Sequence, residues 1–227
     1  MVYLLLYISY KLKMDEAGVR MARYFGAVIE NRDFITKQHA RHVGMISYVL
    51  VQKVRKMYPE FGIDKDMAKM ISSAATLHDV GKLKLPDKVV NKPSKLTESE
   101  YEIYQSHTYK GEKMFKDVIK LLPKDDEDRE FFKLAAEICL NHHERYNGDG
   151  FPGHKKGDDI PIGAQIVGLA DAYEDAISDR LHKKAISKLE AYDMIVNGEC
   201  GSFSPKLINA FISARPELEE LLAREEK

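Results

Sequence analysis

The chain carries eight histidines, at positions 39, 42, 78, 107, 142, 143, 154 and 182. His78 stands beside Asp79 in "TLHDVGKLKLP", residues 76–86, and His142 and His143 adjoin in "LNHHER". Neutral imidazole and carboxylate are natural ligands of divalent metal ions. A His-Asp doublet alone is a weak signal, and one histidine on an apolar face is more often a core residue with a hydrogen-bond partner. The His142-His143 pair is harder to explain that way. Neighbours about 100° apart on a helix cannot both be satisfied by one apolar face, whereas two metal ions can take both. Burying so many titratable groups is costly unless something compensates them, and their number exceeds the needs of a single ion. Neither Cys139 nor Cys200 is spaced to join them, which argues against a thiolate zinc site.

The elements that must position these groups read as helices. In "TKQHARHVGMISYVLVQKVRKM" the apolar residues Val43, Ile46, Leu50, Val54 and Met57 recur at three- and four-residue steps, and His39 lies on the same stripe. From Asp66, the face made by Met67, Met70, Ile71 and Ala74 continues to His78. Phe131, Ala135 and Ile138 lead in the same way to His142. Three helices thus point a histidine inward near one end. "PIGAQIVGLADAYEDAI" begins with Pro161 at a plausible first helical position and is apolar on nearly all sides until Asp171, as a central buried helix would be. Connectors are expected at 86–95, 123–129 and 147–159. With little strand alternation and no internal repeat, the expected class is all-α.

Composition narrows the class further. The 227 residues are 44% hydrophobic and 31% charged, with a formal net charge of −1. These values are ordinary for a globular protein and offer no electrostatic footprint for long nucleic acid or an anionic membrane. Two distant cysteines fit a reduced, cytoplasmic protein. The opening "MVYLLLYISYKLK" is too short in its apolar run to insert in a membrane and lacks a signal-peptide pattern. Residues 1–27 are expected to form a helical segment packed on or preceding a main domain over 28–227. The tail "RPELEELLAREEK" reads as an amphipathic helix that caps the bundle, with pairing to another copy as the alternative.

At this point the residues carry a family resemblance. "HDVGK" at 78–82 resembles the signature of HD-domain metal-dependent phosphohydrolases. The longer stretches "HDVGKLKLPDKVVNKPSKLTESEYEIYQSHTYKGEKMF" and "NHHERYNGDGFPGHKKGDDIPIGAQIVGLADAYEDAISDR" are similar to the HD-GYP family, bacterial phosphodiesterases that hydrolyse cyclic di-GMP. The similarity spans roughly residues 28 to 212. It implies a compact HD-domain helical bundle around a dinuclear metal site, with His39, His78, Asp79, His107, His142, His143 and Asp171 as ligands and Asp79 bridging the two ions. For His107 and Asp171 the resemblance is the only warrant. It also assigns Lys82 to the scissile phosphate and Arg180 and Lys183 to the substrate phosphates, with Gly81 expected to turn the chain so that Lys82 faces the substrate. The implied metals are two divalent ions, iron or manganese. The implied reaction is attack of a hydroxide held between them on phosphorus, with the 3′ oxygen leaving, to give pGpG and, after a second cut, GMP.

Several positions depart from the family pattern. Phe151 stands where the family has Tyr, keeping the ring and losing a hydroxyl. Ile35 occupies the place of a third-metal glutamate, so a dinuclear site and pGpG as main product are expected. His42 replaces a common Arg and is read as a surface or core residue, with support of His39 as the alternative. Gln165 replaces another Arg, and "DRLHKK" carries Leu181 in place of the usual Pro; both changes are placed on the substrate side. His154 and His182 are expected to be solvated. Besides a cyclic di-GMP phosphodiesterase, two readings stay open: a phosphohydrolase for another cyclic dinucleotide or nucleotide, and a catalytically silent metal-binding signalling module. A regulatory partner protein or a homodimer is compatible with each.

Overall fold

The computed structural model describes residues 38–179 and 184–225. The segment expected as an N-terminal helix over 1–27, Ile35, and the positions of Arg180, Leu181, His182 and Lys183 lie outside them. Nine helices are present among the described residues: α1 (His39–Met57), α2 (Lys65–Ala75), α3 (Asp87–Val90), α4 (Glu98–Gln105), α5 (His107–Leu121), α6 (Asp128–Asn141), α7 (Ile162–Ile177), α8 (Lys188–Val196) and α9 (Pro205–Glu225). Short 3-10 turns occupy Pro59–Phe61, Val80–Lys84 and Gly157–Asp159. No strand occurs among the described residues, so the all-α expectation is met.

Local chemistry explains several boundaries. The Asp64 carboxylate accepts from the amides of Asp66 and Met67 at 2.9 and 2.7 Å and starts α2. Thr97 and Glu100 form a reciprocal capping box at the start of α4, and Ser187 accepts from the amide of Glu190 to start α8. Pro161 stands just before α7 as its N-cap, one position earlier than its expected place inside the helix.

The core lies between α1, α2, α6, α7 and α9, where Leu50, Ile71, Ile138, Ile166, Leu169 and Phe211 are fully buried. The α7 helix is buried on nearly every side, as its composition predicts, with α1 and α6 against it. Val43, Ile46, Leu50 and Val54 of the α1 stripe are wholly inside, but the stripe ends there, since Met57 is exposed. The C-terminal α9 lies on α1 and buries Leu218, Leu221 and Leu222, so it caps the bundle.

Two glycines set how closely the elements around the histidines approach. Gly81 does not reverse the chain through a left-handed backbone; it is absent from the positive-φ positions. It is required because the 3-10 turn at Val80–Lys84 presses on α5: a Cβ there would lie 1.9 Å from the His107 carbonyl oxygen and 2.6 Å from the Gly111 nitrogen. In α7, a Cβ on Gly168 would lie 2.3 Å from the His142 carbonyl oxygen. Both obstacles are backbone atoms, which cannot move without moving a histidine. Gly81→Ala is expected to lower the thermal midpoint by about 2–10 °C, the range for an overpacked backbone contact in a domain of this size. An unchanged midpoint would contradict this close approach.

Candidate metal centre

The histidines meet where helix ends meet. His39 opens α1, and His78 follows the end of α2; their rings lie 5.3 Å apart. His107 opens α5, and His142 caps the end of α6; their rings lie 5.4 Å apart. Asp171 enters from the middle of α7. The structure therefore brings His39, His78, Asp79, His107, His142, His143 and Asp171 together at one end of the bundle.

One device fixes three of the rings. The last carbonyls of a helix have no amide partner within it. Ala75 ends α2, and its carbonyl accepts from His78 Nδ1 at 2.7 Å. Tyr104, in the last turn of α4, accepts from His107 Nδ1 at 2.7 Å. Ile138 and Cys139, in the last turn of α6, accept from His142 Nδ1 at 3.1 and 3.0 Å. A carbonyl can only accept, so each Nδ1 carries the proton and each Nε2 of a neutral ring presents a lone pair to the interior. His39 is held by a carboxylate instead: its Nδ1 bonds to Glu174 Oε2.

Asp79 stands between two imidazole groups. Its Oδ1 faces His107 Nε2 at 3.2 Å and His142 Nε2 at 3.8 Å. Its Oδ2 faces His78 Nε2 at 3.4 Å, His39 Nε2 at 3.9 Å and Lys82 Nζ at 2.6 Å. Asp171 Oδ1 lies 3.3 Å from His39 Nε2 and 3.5 Å from His78 Nε2. The ligand atoms of Asp79, His107, His142 and His143 fall within 4.8 Å of one another, as do those of His39, His78 and Asp79, and those of His78, His142 and Asp171.

These groups fit a divalent cation. The Nε2 atoms of His107 and His142 are 3.4 Å apart, although neither neutral ring has a hydrogen there to share. Asp79 Oδ1 and the Nε2 atoms of His78 and His143 are buried without a hydrogen-bond partner among the described residues. Converging buried lone pairs are unfavourable unless a cation accepts them.

The electrostatics point the same way. Burial, reinforced by neighbouring histidines, pushes His142 down to about 3 and His143 well below its usual value. Burial also pushes His107 down to about 4, against the pull of Asp79. All three are neutral at pH 7. Burial opposes the charge on His78 too, but Asp79 and Asp171 outweigh it and raise this ring to about 10. His39 is likewise raised, because Asp171 and Glu174 overcome its burial. Asp79 stays ionised because Lys82 and His78 outweigh its desolvation, and Asp171 because His39 and His78 do.

Supporting residues escaped the sequence reading. Glu174 is buried, holds His39, accepts from the Ser178 hydroxyl at 2.7 Å and faces His42 Nδ1 at 3.5 Å. It lies three residues after Asp171, on a neighbouring position of the same helix. His42 therefore neighbours the support of His39 and is no plain surface residue. Arg145 donates to the His142 and Glu144 carbonyls at 3.1 and 2.9 Å and covers the Phe203 ring. The Glu144 carboxylate accepts from the amides of Gly153 at 2.6 Å and Lys155 at 3.0 Å, which fastens the Gly-Phe-Pro turn. Phe151 keeps the expected packing, stacked on His143 with centroids 4.5 Å apart. Gln165, expected on the substrate side, is buried and donates to the Ile160 carbonyl at 2.8 Å, anchoring the start of α7. His154 is exposed, as expected.

A family model described as "HD domain" matches residues 25–207. The chain belongs to the HD-domain family. A "Cyclic di-GMP phosphodiesterase" of Thermotoga maritima is 33% identical over 196 residues, covering 86% of this chain and 49% of that protein. A "3'3'-cGAMP-specific phosphodiesterase 2" of Vibrio cholerae is 27% identical, covering 90% of this chain and 36% of its own length. The solved HDG"Y"P protein Bd1817 of Bdellovibrio bacteriovorus shares the fold, with a TM-score of 0.59 at 22% identity over 89% of this chain and 62% of that one. These matches bear out the HD-GYP resemblance. This HD-domain chain spans about half or less of the length of the curated relatives it matches.

Because His78 holds a proton up to about pH 10 in the metal-free HD domain and must be neutral to ligate, metal uptake at pH 7 is expected to release protons. Affinity then rises with pH, about tenfold per unit for each proton released. Calorimetric titration with Mn²⁺ in buffers of different ionisation enthalpy checks this. A heat that does not depend on the buffer would contradict it.

Proposed function

We propose that this chain is a metal-dependent phosphodiesterase that opens cyclic di-GMP to pGpG. The observation that carries the reading is the placement of Asp79, with one carboxylate oxygen toward each of two imidazole groups and Lys82 Nζ 2.6 Å away. His39, His78, Asp171 and Asp79 Oδ2 would hold one divalent ion. His107, His142, His143 and Asp79 Oδ1 would hold the second. Iron or manganese suits this nitrogen and oxygen donor set. When bound, such ions supply Lewis acidity at the phosphate oxygens and a nucleophilic water at neutral pH.

The chain's own residues do the rest. Glu174 and the helix-end carbonyls hold the imidazoles in one tautomer, so the donor set is preorganised. Lys82 is largely buried, rests over the Tyr104 ring and points into the site. Its ammonium is placed to neutralise charge growing on the non-bridging phosphate oxygens. Arg180 and Lys183 are proposed to bind the substrate phosphates. Phe151 stacks on His143 and covers one face of that ring. No helix among the described residues is long and apolar enough to cross a membrane, and a chain with only two widely spaced cysteines, Cys139 and Cys200, suits a cytoplasmic setting.

The relatives named as 3'3'-cGAMP-specific phosphodiesterases support a second substrate reading, in which adenine replaces one guanine. Both substrates present the same phosphodiester to the same groups, and base recognition separates them.

Anaerobically prepared protein with Mn²⁺ or Fe²⁺ is expected to convert cyclic di-GMP to pGpG, resolved by chromatography. Lys82→Ala should keep both metals and lose about 10²–10³-fold in kcat. Asp79→Ala should lose both metals by elemental analysis. Two metals per chain without turnover of either cyclic dinucleotide would contradict the phosphodiesterase reading.

A further inference from the structure

The α4 helix contributes no buried residue to the fold, yet it carries two tyrosines at the rim of the metal centre. Tyr101 is 46% exposed. Its ring is nearly parallel to that of Tyr104, at 15° with centroids 6.3 Å apart, and perpendicular to that of Phe151 at 6.2 Å. Phe151 in turn stacks on His143, and Tyr104 lies 5.1 Å from His107 and beneath Lys82 Nζ at 5.3 Å. The three rings form a wall that starts on the imidazoles, passes under the Lys82 ammonium and ends at solvent on Tyr101.

This ring is not part of the buried core. Its exposed part adjoins the Lys82 and His107 end of the site through Tyr104, where a ligand could cover it. The chemistry of the site says which ligand. A ribose separates a purine from its 3′ phosphate, so a phosphate at Lys82 puts the attached base within reach of Tyr101 and Phe151. Flat aromatic faces hold any purine by stacking, without hydrogen-bond readout.

We infer that Tyr101, Tyr104 and Phe151 form a stacking subsite for one purine base of the cyclic dinucleotide, with Tyr101 as its outer, affinity-determining ring. The inference rests on the phosphodiesterase reading above and adds to it the way the base is held. It gives the site a way to hold a guanine nucleotide by the face of its base. It also implies that this half of the substrate is held as a purine and not specifically as guanine.

The test uses the full chain loaded with Mn²⁺, as wild type, Tyr101→Phe and Tyr101→Ala. KM and kcat are measured for cyclic di-GMP and 3′3′-cGAMP, with metal content and oligomeric state measured alongside. Tyr101→Ala is expected to raise KM roughly tenfold for both substrates, with kcat changed far less and the metal content retained, while Tyr101→Phe matches wild type. Turnover with an unchanged KM in Tyr101→Ala would overturn the subsite and leave the phosphodiesterase reading intact. A loss in Tyr101→Phe equal to that in Tyr101→Ala would overturn stacking in favour of a hydroxyl contact. A changed oligomeric state with KM unaltered would overturn it in favour of a protein contact. Wild-type protein that turns over neither substrate would remove the phosphodiesterase reading, and the subsite with it.

Discussion

The arrangement depends on the hydrogen bonds that three histidines donate to helix-end carbonyls. Ala75, Tyr104 and the Ile138–Cys139 pair each stand in the last turn of a helix, where carbonyls can accept from a side chain beyond the helix end. By accepting from Nδ1, they turn the Nε2 atoms of His78, His107 and His142 toward Asp79. The same bonds finish the helices and orient the candidate donors. A change that lengthens or frays α2, α4 or α6 by one residue would therefore alter the donor set as well as the fold. The backbone contacts at Gly81 and Gly168 serve the same end, since they press the neighbouring elements onto the His107 and His142 carbonyls.

Around this frame the charges are balanced within a small volume. Asp79 and Asp171 are buried anions, offset in the metal-free protein by Lys82 and by the raised affinity of His39 and His78 for protons. Divalent ions can take over that role, because a cation satisfies the carboxylates and the orphaned imidazole nitrogens together. Glu174 is the counterpart on the far side of His39, buried and shared with Ser178 and His42. Breaking one member of such a network leaves an uncompensated buried charge, which is why its members are coupled. Lys82 bonds to a carboxylate that faces both imidazole groups, so the residue assigned to the substrate also reports on the state of the centre.

Much of this was legible in the sequence where a histidine continued an apolar stripe. His39 heads, and His78 and His142 follow, runs of buried residues at helical spacing, and all three are buried. The central helix, the all-α class and the capping tail were legible for the same reason. His107 was not, because the helix it begins buries only Thr108, Gly111 and Phe115 after it, too few apolar residues to mark a stripe. Asp171 and Glu174 sit on a helix buried all round, where periodicity does not say which face meets the site. Gly81 does lie in a turn, but its close approach to the His107 carbonyl leaves no trace in one sequence. Gln165 was assigned to the substrate side by its place in the family pattern, whereas its side chain bonds a buried carbonyl. The aromatic wall joins residues some fifty positions apart and shows only once α4 lies beside the Gly-Phe-Pro turn.

The central claim is that Asp79 is shared between two metal ions. Anomalous diffraction at the manganese edge, from crystals of the full chain grown with Mn²⁺, tests it directly. Two peaks are predicted, one on each side of the Asp79 carboxylate, the first among His39, His78 and Asp171 and the second among His107, His142 and His143. A single peak, or two peaks of which only one is bonded to Asp79, would contradict the account.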